Sequence, residues 1–360
     1  MKKIFIVFPL LLTAALTFLA GVLFGDTVGA RLSNLPFFRK FDLLTPRAPI
    51  VINTKEEVRV SDGEDVVAAA NRVKSKLSAV FTYDGKTAEL LGNAVNVSSE
   101  GVFATIGSIL GGVNVNSLYV KVGDDNLIKI SSIVRDPATN VVMLKAAKAN
   151  SQPASFAVSK DIQSARRVVL VGQLLRSKDY YFAASFVSSS EALTSVASSD
   201  RPTRTFGLQQ VPGLIPGQVV INLSGDVLGM WDGTNIIPSD ILQNISVNYF
   251  AHGGNSVVRP FFGFYYHSLT SVESKVRGVP LGAEVVRPLE VPSAVAVGSP
   301  AEKGGLRAGD IITSISGTVI TEDVLLERLL EKVGVGDEVQ LTVVRGTDTI
   351  NVTIIAGELK

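Results

Sequence analysis

The sequence predicts a mainly β protein that begins with one apolar helix and ends in a smaller α+β domain. Residues 4–24 carry no charge. The middle of the chain consists of short runs rich in valine, isoleucine and phenylalanine, separated by glycine, asparagine, aspartate and serine. Such a series of strands without intervening helices is typical of β-barrels and sandwiches. The helix and turn signals that follow it indicate a further, mixed domain.

The composition argues against several kinds of function. The 34 basic and 33 acidic side chains nearly cancel, so we expect no nucleic-acid partner. The chain has no cysteine, which excludes disulfides, cysteine nucleophiles and thiolate metal sites. Its only two histidines, His252 and His267, leave little material for a metal centre or a histidine base. We therefore expect neither a metal nor a cofactor.

Residues 1–25 are predicted to form a transmembrane signal anchor. Two lysines precede the uncharged residues 4–24, and about 20 apolar residues cross a bilayer as a helix. Lysines before the span favour a cytoplasmic amino terminus, which places the later domains on the extracytoplasmic side of the cell membrane as a single-pass protein. A cleaved signal with its site near residues 28–30 and a buried soluble helix are the alternatives. Residues 26–62, with scattered prolines and no sustained period, are predicted to be a linker.

Residues 63–258 are predicted to form the β-rich domain. Apolar residues at helical spacing predict a helix over residues 64–77. The serine-rich stretch 185–200 has the composition of a flexible loop, and a serine and lysine pair with Lys178 is the less favoured alternative there. The predicted strands are Ala94–Val97, Val102–Ile106, Leu118–Val122, Ile128–Val134, Val141–Ala146, Arg167–Gln173, Tyr181–Val187 and Gln218–Trp231.

Several of these segments resemble the HtrA family of proteases. The matching stretches are GNAVNVSSEGVFATIGSIL at 92–110, IVRDPATNVVMLKA at 133–146 and VVLVGQ at 168–173. Two further stretches match at 208–230 and 235–264. The resemblance implies a trypsin-like domain of two β-barrels, with a catalytic histidine, aspartate and serine at their interface. It also implies a homo-oligomer, since family members commonly form trimers.

In that alignment the three catalytic positions are vacant. Ser108 stands at the histidine position and Asn140 at the aspartate position. The serine position falls on Pro216 or Val219, because the gap placement leaves both open. A serine hydroxyl needs a base within hydrogen-bond reach, and a proline also removes a backbone N–H from the nucleophile loop. We therefore predict that the chain has no catalytic residue and is a pseudo-protease.

Residues 259–357 resemble a PDZ domain of the HtrA type. The strongest signal is GSPAEKGGLRAGDIITSISGTVI at 298–320. There Ser299 is predicted to cap a short helix with Pro300 at its first position. A second helix is predicted from Glu322 to Val333, and strands are predicted at Glu338–Arg345 and Thr349–Ile355.

PDZ domains bind a peptide terminus as an added strand, while backbone N–H groups of a loop hold its carboxylate. The resemblance assigns that loop to four residues, with a core strand as the alternative interpretation. Leu326, Leu330 and Val333 are predicted to face the core from the second helix. The predicted peptide-binding residues are Phe261, Phe262, Gly263 and Phe264 of the loop, and Leu325, Arg328 and Leu329 of the helix.

Three functions follow from these observations. The favoured one is a non-catalytic, membrane-anchored HtrA-like protein that binds C-termini or unfolded segments of other proteins through its PDZ domain, in envelope protein quality control or regulation. The alternative is a serine-type endopeptidase of the HtrA class with the same cellular role. A purely structural envelope protein with a closed PDZ groove is the third.

Overall fold

The computed structural model describes residues 13, 16, 63–123, 126–146, 151–158, 161–173, 180–189, 196–209 and 215–360. The chain divides into two compact units, Met1–Val60 and Ser61–Lys360. Except for Thr13 and Leu16, which are helical, the predicted anchor at 1–25 and linker at 26–62 lie outside the described residues. Within the described ranges, no helix combines the length and apolar character needed to cross a bilayer.

The first domain begins with helix α1, Glu64–Val73, which a 3₁₀ turn at Lys74–Lys76 extends. Six antiparallel strands then close into a barrel in the order β1-β2-β3-β6-β5-β4. Its interior is filled by apolar side chains from every strand, as expected when alternate residues point inward. The strands are β1 Leu77–Tyr83, β2 Ala88–Ser98, β3 Val102–Ile106, β4 Leu118–Val122, β5 Asn126–Arg135 and β6 Val141–Ala146.

A second antiparallel sheet has the order β10-β8-β7-β11-β12-β13. The prediction of one strand over Gln218–Trp231 is wrong, because this stretch is a hairpin. The Asn222 side-chain oxygen accepts the backbone N–H groups of Ser224 and Asp226 and so forms the turn. The strands of this sheet are β7 Arg167–Gln173, β8 Tyr180–Ser189, β10 Gly207–Leu208, β11 Val219–Ile221, β12 Val227–Trp231 and β13 Ile236–Pro238. Strand β9, Ala197–Ser198, lies between β8 and β10 in the sequence and pairs with a different sheet.

Helix α2, Ser239–Ala251, closes this domain. One buried cluster joins α1, α2, the first barrel and the second sheet, and it includes Val73, Met143, Met230 and Leu242. The two β units, a closed barrel and a six-stranded sheet, therefore share a packed interface. The interpretation of 185–200 as a flexible loop is wrong at both ends, since β8 extends to Ser189 and β9 begins at Ala197.

The carboxyl-terminal domain is built on a sheet of order β20-β19-β17-β16-β15-β9, with β18 paired to β17. It has its own core, separate from those of the first domain. Its elements are β14 Pro260–Phe261, β15 Tyr265–Ser268, α3 Ser271–Arg277, β16 Ala283–Val285, α4 Pro300–Lys303, β17 Ile311–Ile315, β18 Thr318–Val319, α5 Leu326–Leu330, β19 Glu338–Arg345, β20 Asp348–Ile355 and β21 Gly357–Glu358.

Local signals explain where these helices begin. The Ser299 hydroxyl accepts the backbone N–H of Glu302 with Pro300 next in the chain, which confirms the predicted cap of α4. The helix predicted from Glu322 to Val333 is present but shorter at both ends, because α5 spans only Leu326–Leu330. The Thr321 hydroxyl instead accepts the N–H of Val324, and the Glu322 carboxylate accepts that of Ser271, so residues 321–325 form a turn fixed to α3.

Candidate functional site

The positions that the resemblance assigns to a catalytic triad come together between the two β units. The backbone N–H of Gly107 donates to the carbonyl of Asn140 over 2.6 Å. The Asn140 side chain also lies against Gly107, since a Cβ at that glycine would be 2.8 Å from its Oδ1. Ser108 follows Gly107, so the histidine and aspartate positions are neighbours in space. We call this region the inter-barrel cleft.

Pro216 forms the third side of the inter-barrel cleft. The Ser108 hydroxyl donates to the carbonyl of Asp232 over 3.1 Å. The next residue, Gly233, lies beside Pro216, because a Cβ at Gly233 would be 3.5 Å from the Pro216 Cγ. Val219, the other candidate for the serine position, is fully buried in β11 and belongs to the core between the sheets. The geometry therefore places Pro216, and not Val219, beside Ser108.

These side chains do not form a charge-relay arrangement. Ser108 carries a hydroxyl where a base is needed, and Asn140 is neutral and cannot stabilise an imidazolium as an aspartate does. Both histidines of the chain lie elsewhere. His252 contacts the Asn248 carbonyl through Nδ1 at the end of α2, and His267 contacts the Glu273 carboxylate through Nε2 at 2.9 Å in the second domain.

Gln173, the last residue of β7, lies in the interface between the two β units. Its side chain is buried and bonded at both ends: Oε1 accepts the N–H of Ala79, and Nε2 donates to the Gly123 carbonyl. Its backbone N–H donates to Asn93 Oδ1 over 2.6 Å. These bonds hold β7 to the first barrel, so this polar group stabilises the interface on which the inter-barrel cleft is built.

A buried ion pair connects the cleft loop to the second domain. The Asp136 side chain is fully buried and accepts Arg259 Nε over 2.7 Å. It also accepts the Thr139 hydroxyl one residue before Asn140. Because an unpaired carboxylate would be costly there, Arg259 holds the loop that carries Asn140 against the start of the carboxyl-terminal domain.

The second candidate site is the groove predicted for a peptide terminus, and three loop amides point into it. The N–H of Phe262 donates to Asp200 Oδ1 over 2.6 Å, and that of Gly263 donates to the same atom over 3.0 Å. The N–H of Phe264 donates to the Ser199 hydroxyl over 3.0 Å. Gly263 has a φ of +83°, which favours glycine and turns its N–H toward the others. The loop therefore binds a carboxylate, and that carboxylate is an internal side chain.

Residues 196–204, which we call the internal segment, also occupy the adjoining sheet edge. Strand β9 pairs with β15 in antiparallel register, Ser198 opposite Tyr265 and Ala197 opposite Tyr266. The N–H of Ser199 donates to the Phe264 carbonyl over 2.9 Å. Ala197 is 9% exposed and packs in the core of this domain. The internal segment is thus an added strand on the PDZ-like sheet.

Arg204 anchors the carboxyl-terminal end of the internal segment. Its guanidinium is 5% exposed and pairs with three carboxylates, Asp240 at 2.7 Å, Glu327 at 3.1 Å and Glu331 at 2.6 Å. Glu327 lies on α5 and Glu331 one turn later, just after it, whereas Asp240 lies in the first turn of α2. The cluster therefore ties the segment to both domains. The N–H and hydroxyl of Thr203 add bonds to Glu327.

Burial perturbs the ionisation of these groups. Desolvation raises the pKa of Asp200, although the N–H groups of Phe262 and Gly263 oppose the shift. Desolvation likewise raises the pKa of Glu327 against the opposing effect of Arg204. For Arg204 desolvation would lower the pKa, but the carboxylates of Glu331 and Asp240 outweigh it and raise the pKa. The groove is thus a desolvated site in which charge is held by direct partners.

The predicted groove residues divide into two groups. Phe262, Gly263 and Phe264 carry the amides that hold Asp200 and Ser199, while Phe261 lies in β14 opposite Gly357. Leu325 is the residue before α5, Arg328 is half-buried on that helix, and Leu329 packs against the domain core. Leu326, Leu330 and Val333 face the core as predicted.

Sequence reasoning missed the acidic pair that contacts the internal segment, Glu327 and Glu331. It also missed Ser199, Asp200 and Arg204 on the segment itself. Because Glu327 and Glu331 lie more than 100 residues from Arg204 in the sequence, their pairing with it leaves no local pattern. The one available signal is the Asp-Arg-Pro-Thr-Arg sequence after the serine-rich stretch, which is a departure from loop-like composition.

Comparisons with known proteins agree with this architecture. The family model of the PDZ domain matches residues 268–355. A Pseudomonas fluorescens protein named probable periplasmic serine endoprotease DegP-like is 24% identical over 95% of this chain and 75% of its own length. Protease Do-like 1, chloroplastic, of Arabidopsis thaliana is 27% identical over 63% of this chain and 54% of its own. A match to a Synechocystis sp. protein covers 39% of that protein, so the chain corresponds to part of these relatives.

The fold itself is found in solved structures. The HtrA-type protease AlgW, solved with a decapeptide, superposes with a TM-score of 0.58 at 17% identity, covering 81% of this chain and 98% of that one. A serine endoprotease from Yersinia pestis superposes with a TM-score of 0.55 over 82% of this chain. The chain is therefore HtrA-like, with a trypsin-like domain followed by a PDZ domain.

Proposed function

We propose that this chain is a non-catalytic HtrA-like protein that binds C-terminal or unfolded segments of other proteins through its PDZ domain. It acts in envelope protein quality control or regulation, anchored by residues 1–25 with its domains on the extracytoplasmic side. A homotrimer is the assembly that the resemblance implies. The observation that carries the proposal is the contrast between a triad region of Ser108, Asn140 and Pro216 and a PDZ loop whose amides hold a carboxylate.

The inter-barrel cleft supports the non-catalytic part of the proposal. Attack on a peptide bond needs a nucleophile, a base that takes its proton and a group that orients the base. Pro216 has no hydroxyl, and the rings of His252 and His267 contact Asn248 and Glu273. A triad knockout in such enzymes costs on the order of 10⁶-fold in kcat, so loss at all three positions leaves no useful rate.

The PDZ groove supports the binding part. Convergent N–H groups at a loop are the feature by which a peptide terminus is captured, and a sheet edge beside them accepts the rest of the peptide. Phe262 and Gly263 donate to a carboxylate in this structure at 2.6 and 3.0 Å, distances typical of charge-assisted bonds. The groove thus has the chemistry that a terminal carboxylate requires.

The competing function is a serine-type endopeptidase, which the names of the curated relatives favour. The full chain, purified in detergent, would be incubated with an unfolded protein and with a fluorophosphonate probe, with trypsin as the positive control. We expect neither cleavage nor labelling. A labelled serine together with cleavage of the substrate would establish the endopeptidase and locate its nucleophile.

Peptide binding is tested separately by fluorescence anisotropy. Labelled peptides with a free C-terminus and the same sequences with a C-terminal amide would be titrated with the full chain up to millimolar concentrations. We expect the acids to bind and the amides to fail, because an amide presents no charge to the loop amides of 262–264. Equal binding of acids and amides would show that the PDZ loop does not recognise the terminal carboxylate.

A further inference from the structure

The Asp200 carboxylate lies where the terminal carboxylate of a bound peptide would lie. Its Oδ1 accepts the N–H groups of both Phe262 and Gly263, and Oδ2 is 3.2 Å from the latter. A terminal carboxylate has the same two oxygens and the same charge. The N–H groups of one loop can satisfy one such group at a time, so an incoming C-terminus and Asp200 exclude one another.

The internal segment also occupies the edge of the PDZ sheet at β15. Strand β9 uses the edge of β15, and the Ser199 N–H occupies the Phe264 carbonyl. An added peptide strand needs those same backbone groups. A ligand therefore cannot bind beside the internal segment and has to replace residues 197–200.

Residues 197–200 have features that allow a ligand to displace them from the sheet edge. The strand that they form is two residues long, its side chains are small, and Asp200 is desolvated on docking. In contrast, Arg204 is held by three carboxylates in both domains. The anchor at Arg204 keeps the detached residues near the groove, where an intramolecular competitor acts at an effective concentration on the order of millimolar.

From this geometry we infer that the internal segment is a built-in ligand of the PDZ groove, and that a protein C-terminus binds by displacing residues 197–200 and placing its carboxylate on the amides of Phe262 and Gly263. The inference rests on the proposed function and adds the mode of ligand entry. If the docked state is populated at 90–99%, the apparent Kd of an external peptide is raised about 10- to 100-fold.

The first test compares Asp200→Ala with the unchanged full chain in the anisotropy assay. Removal of the internal carboxylate is expected to tighten the binding of free-acid peptides at least about tenfold. Asp161→Ala, which removes a carboxylate that pairs with Arg166 in the other domain, serves as the matched control and is expected to leave the Kd unchanged. Equal affinities for Asp200→Ala and the unchanged chain would overturn the inference while leaving the proposed function intact.

The second test does not depend on a peptide, and it uses the absence of cysteine from the chain. Ser198 and Tyr265 are directly opposite in the antiparallel pair, so the double variant Ser198→Cys/Tyr265→Cys should form an intramolecular disulfide on mild oxidation. Each single variant is the control. We expect the oxidised double variant to lose binding of free-acid peptides and to regain it on reduction.

The outcomes are distinguishable. Failure of the disulfide to form, or full peptide binding by the oxidised protein, would overturn the inference that the internal segment is a ligand of the groove. Ready formation of the disulfide with no peptide bound by the reduced double variant or by Asp200→Ala would support the internal ligand and contradict the peptide-binding function. Binding that the disulfide blocks and reduction restores supports both.

Discussion

The inter-barrel cleft and the PDZ groove depend on the sequence in different ways. In the cleft the fold brings Ser108, Asn140 and Pro216 together, yet catalysis would need particular side chains at all three positions. In the groove, recognition uses backbone N–H groups of residues 262–264, which every residue type except proline supplies once the loop has its conformation. Side-chain chemistry in the cleft is therefore more sensitive to substitution than backbone recognition in the loop.

The largest expected effect concerns Arg204, which anchors the internal segment beside the PDZ groove. Arg204→Ala leaves the buried Glu327 and the half-buried Glu331 without their cation, so we expect the free energy of unfolding to fall by about 3–5 kcal/mol. Free-acid peptides should bind more tightly, because the internal segment loses its anchor. Urea denaturation and anisotropy measure the two effects.

Arg277→Ala is the matched control for Arg204. Its partner Glu284 lies at the surface side of β16, and the Arg277 side chain is 42% exposed. Loss of this ion pair should cost less than about 1 kcal/mol and leave peptide affinity unchanged. If both arginine variants lost similar stability, the buried cluster would not be the anchor described above.

The next largest effect is expected from Gly263→Ala, which disrupts the conformation of the loop at 261–264. A Cβ there would be 2.3 Å from the Cβ of Ser299, and φ is +83°, so both crowding and backbone strain oppose alanine. We expect a loss of about 2–4 kcal/mol and no binding of free-acid peptides. Gly336→Ala, with φ of +87° and open space around it, isolates the strain and should cost about 1 kcal/mol.

A smaller effect is expected at Glu273, whose carboxylate pairs with His267 and accepts the N–H of Thr270. The N–H of Thr270 and then His267 lower the pKa of Glu273 to about 2 from its ordinary 4.5. A lowered pKa stabilises the fold above pH 4.5, and this contribution is lost as the pH falls toward 2. The stability difference between the unchanged chain and Glu273→Gln should therefore be largest at neutral pH and shrink from pH 5 to 3 in urea titrations. A difference independent of pH would contradict this pairing.

The smallest expected effect is in the cleft. Ser108→His/Asn140→Asp restores the base and its orienting carboxylate, yet hydrolysis of an unfolded protein should stay at the buffer rate because Pro216 provides no nucleophile. Activity of this variant at a rate above that of the unchanged chain would show that a serine near the cleft is competent.

Much of the scaffold follows from local sequence. Five predicted strands agree end for end with the structure because each is a branched apolar run between turn residues. These are Val102–Ile106, Leu118–Val122, Val141–Ala146, Arg167–Gln173 and Glu338–Arg345. The Ser299 cap is likewise readable from neighbouring residues, whereas the loop at 261–264 is assigned through the resemblance to PDZ domains.

The filled groove could not be predicted in this way. Ala197–Ser198 is too short to show a period of two, and its pairing partner lies more than 60 residues away. Asp200 acts as a terminal carboxylate only because the fold carries it to the loop at Gly263. The choice between Pro216 and Val219 also required the structure, since both fit the sequence alignment and only packing separates them.

The most direct measurement is hydrogen exchange at the amides of Phe262 and Gly263 in the full chain without added peptide. We expect slow exchange at both amides in the unchanged chain and in Asp161→Ala, and fast exchange at both in Asp200→Ala. Fast exchange in the unchanged chain, or protection that survives removal of the Asp200 carboxylate, would contradict the claim that the groove is filled by the chain itself.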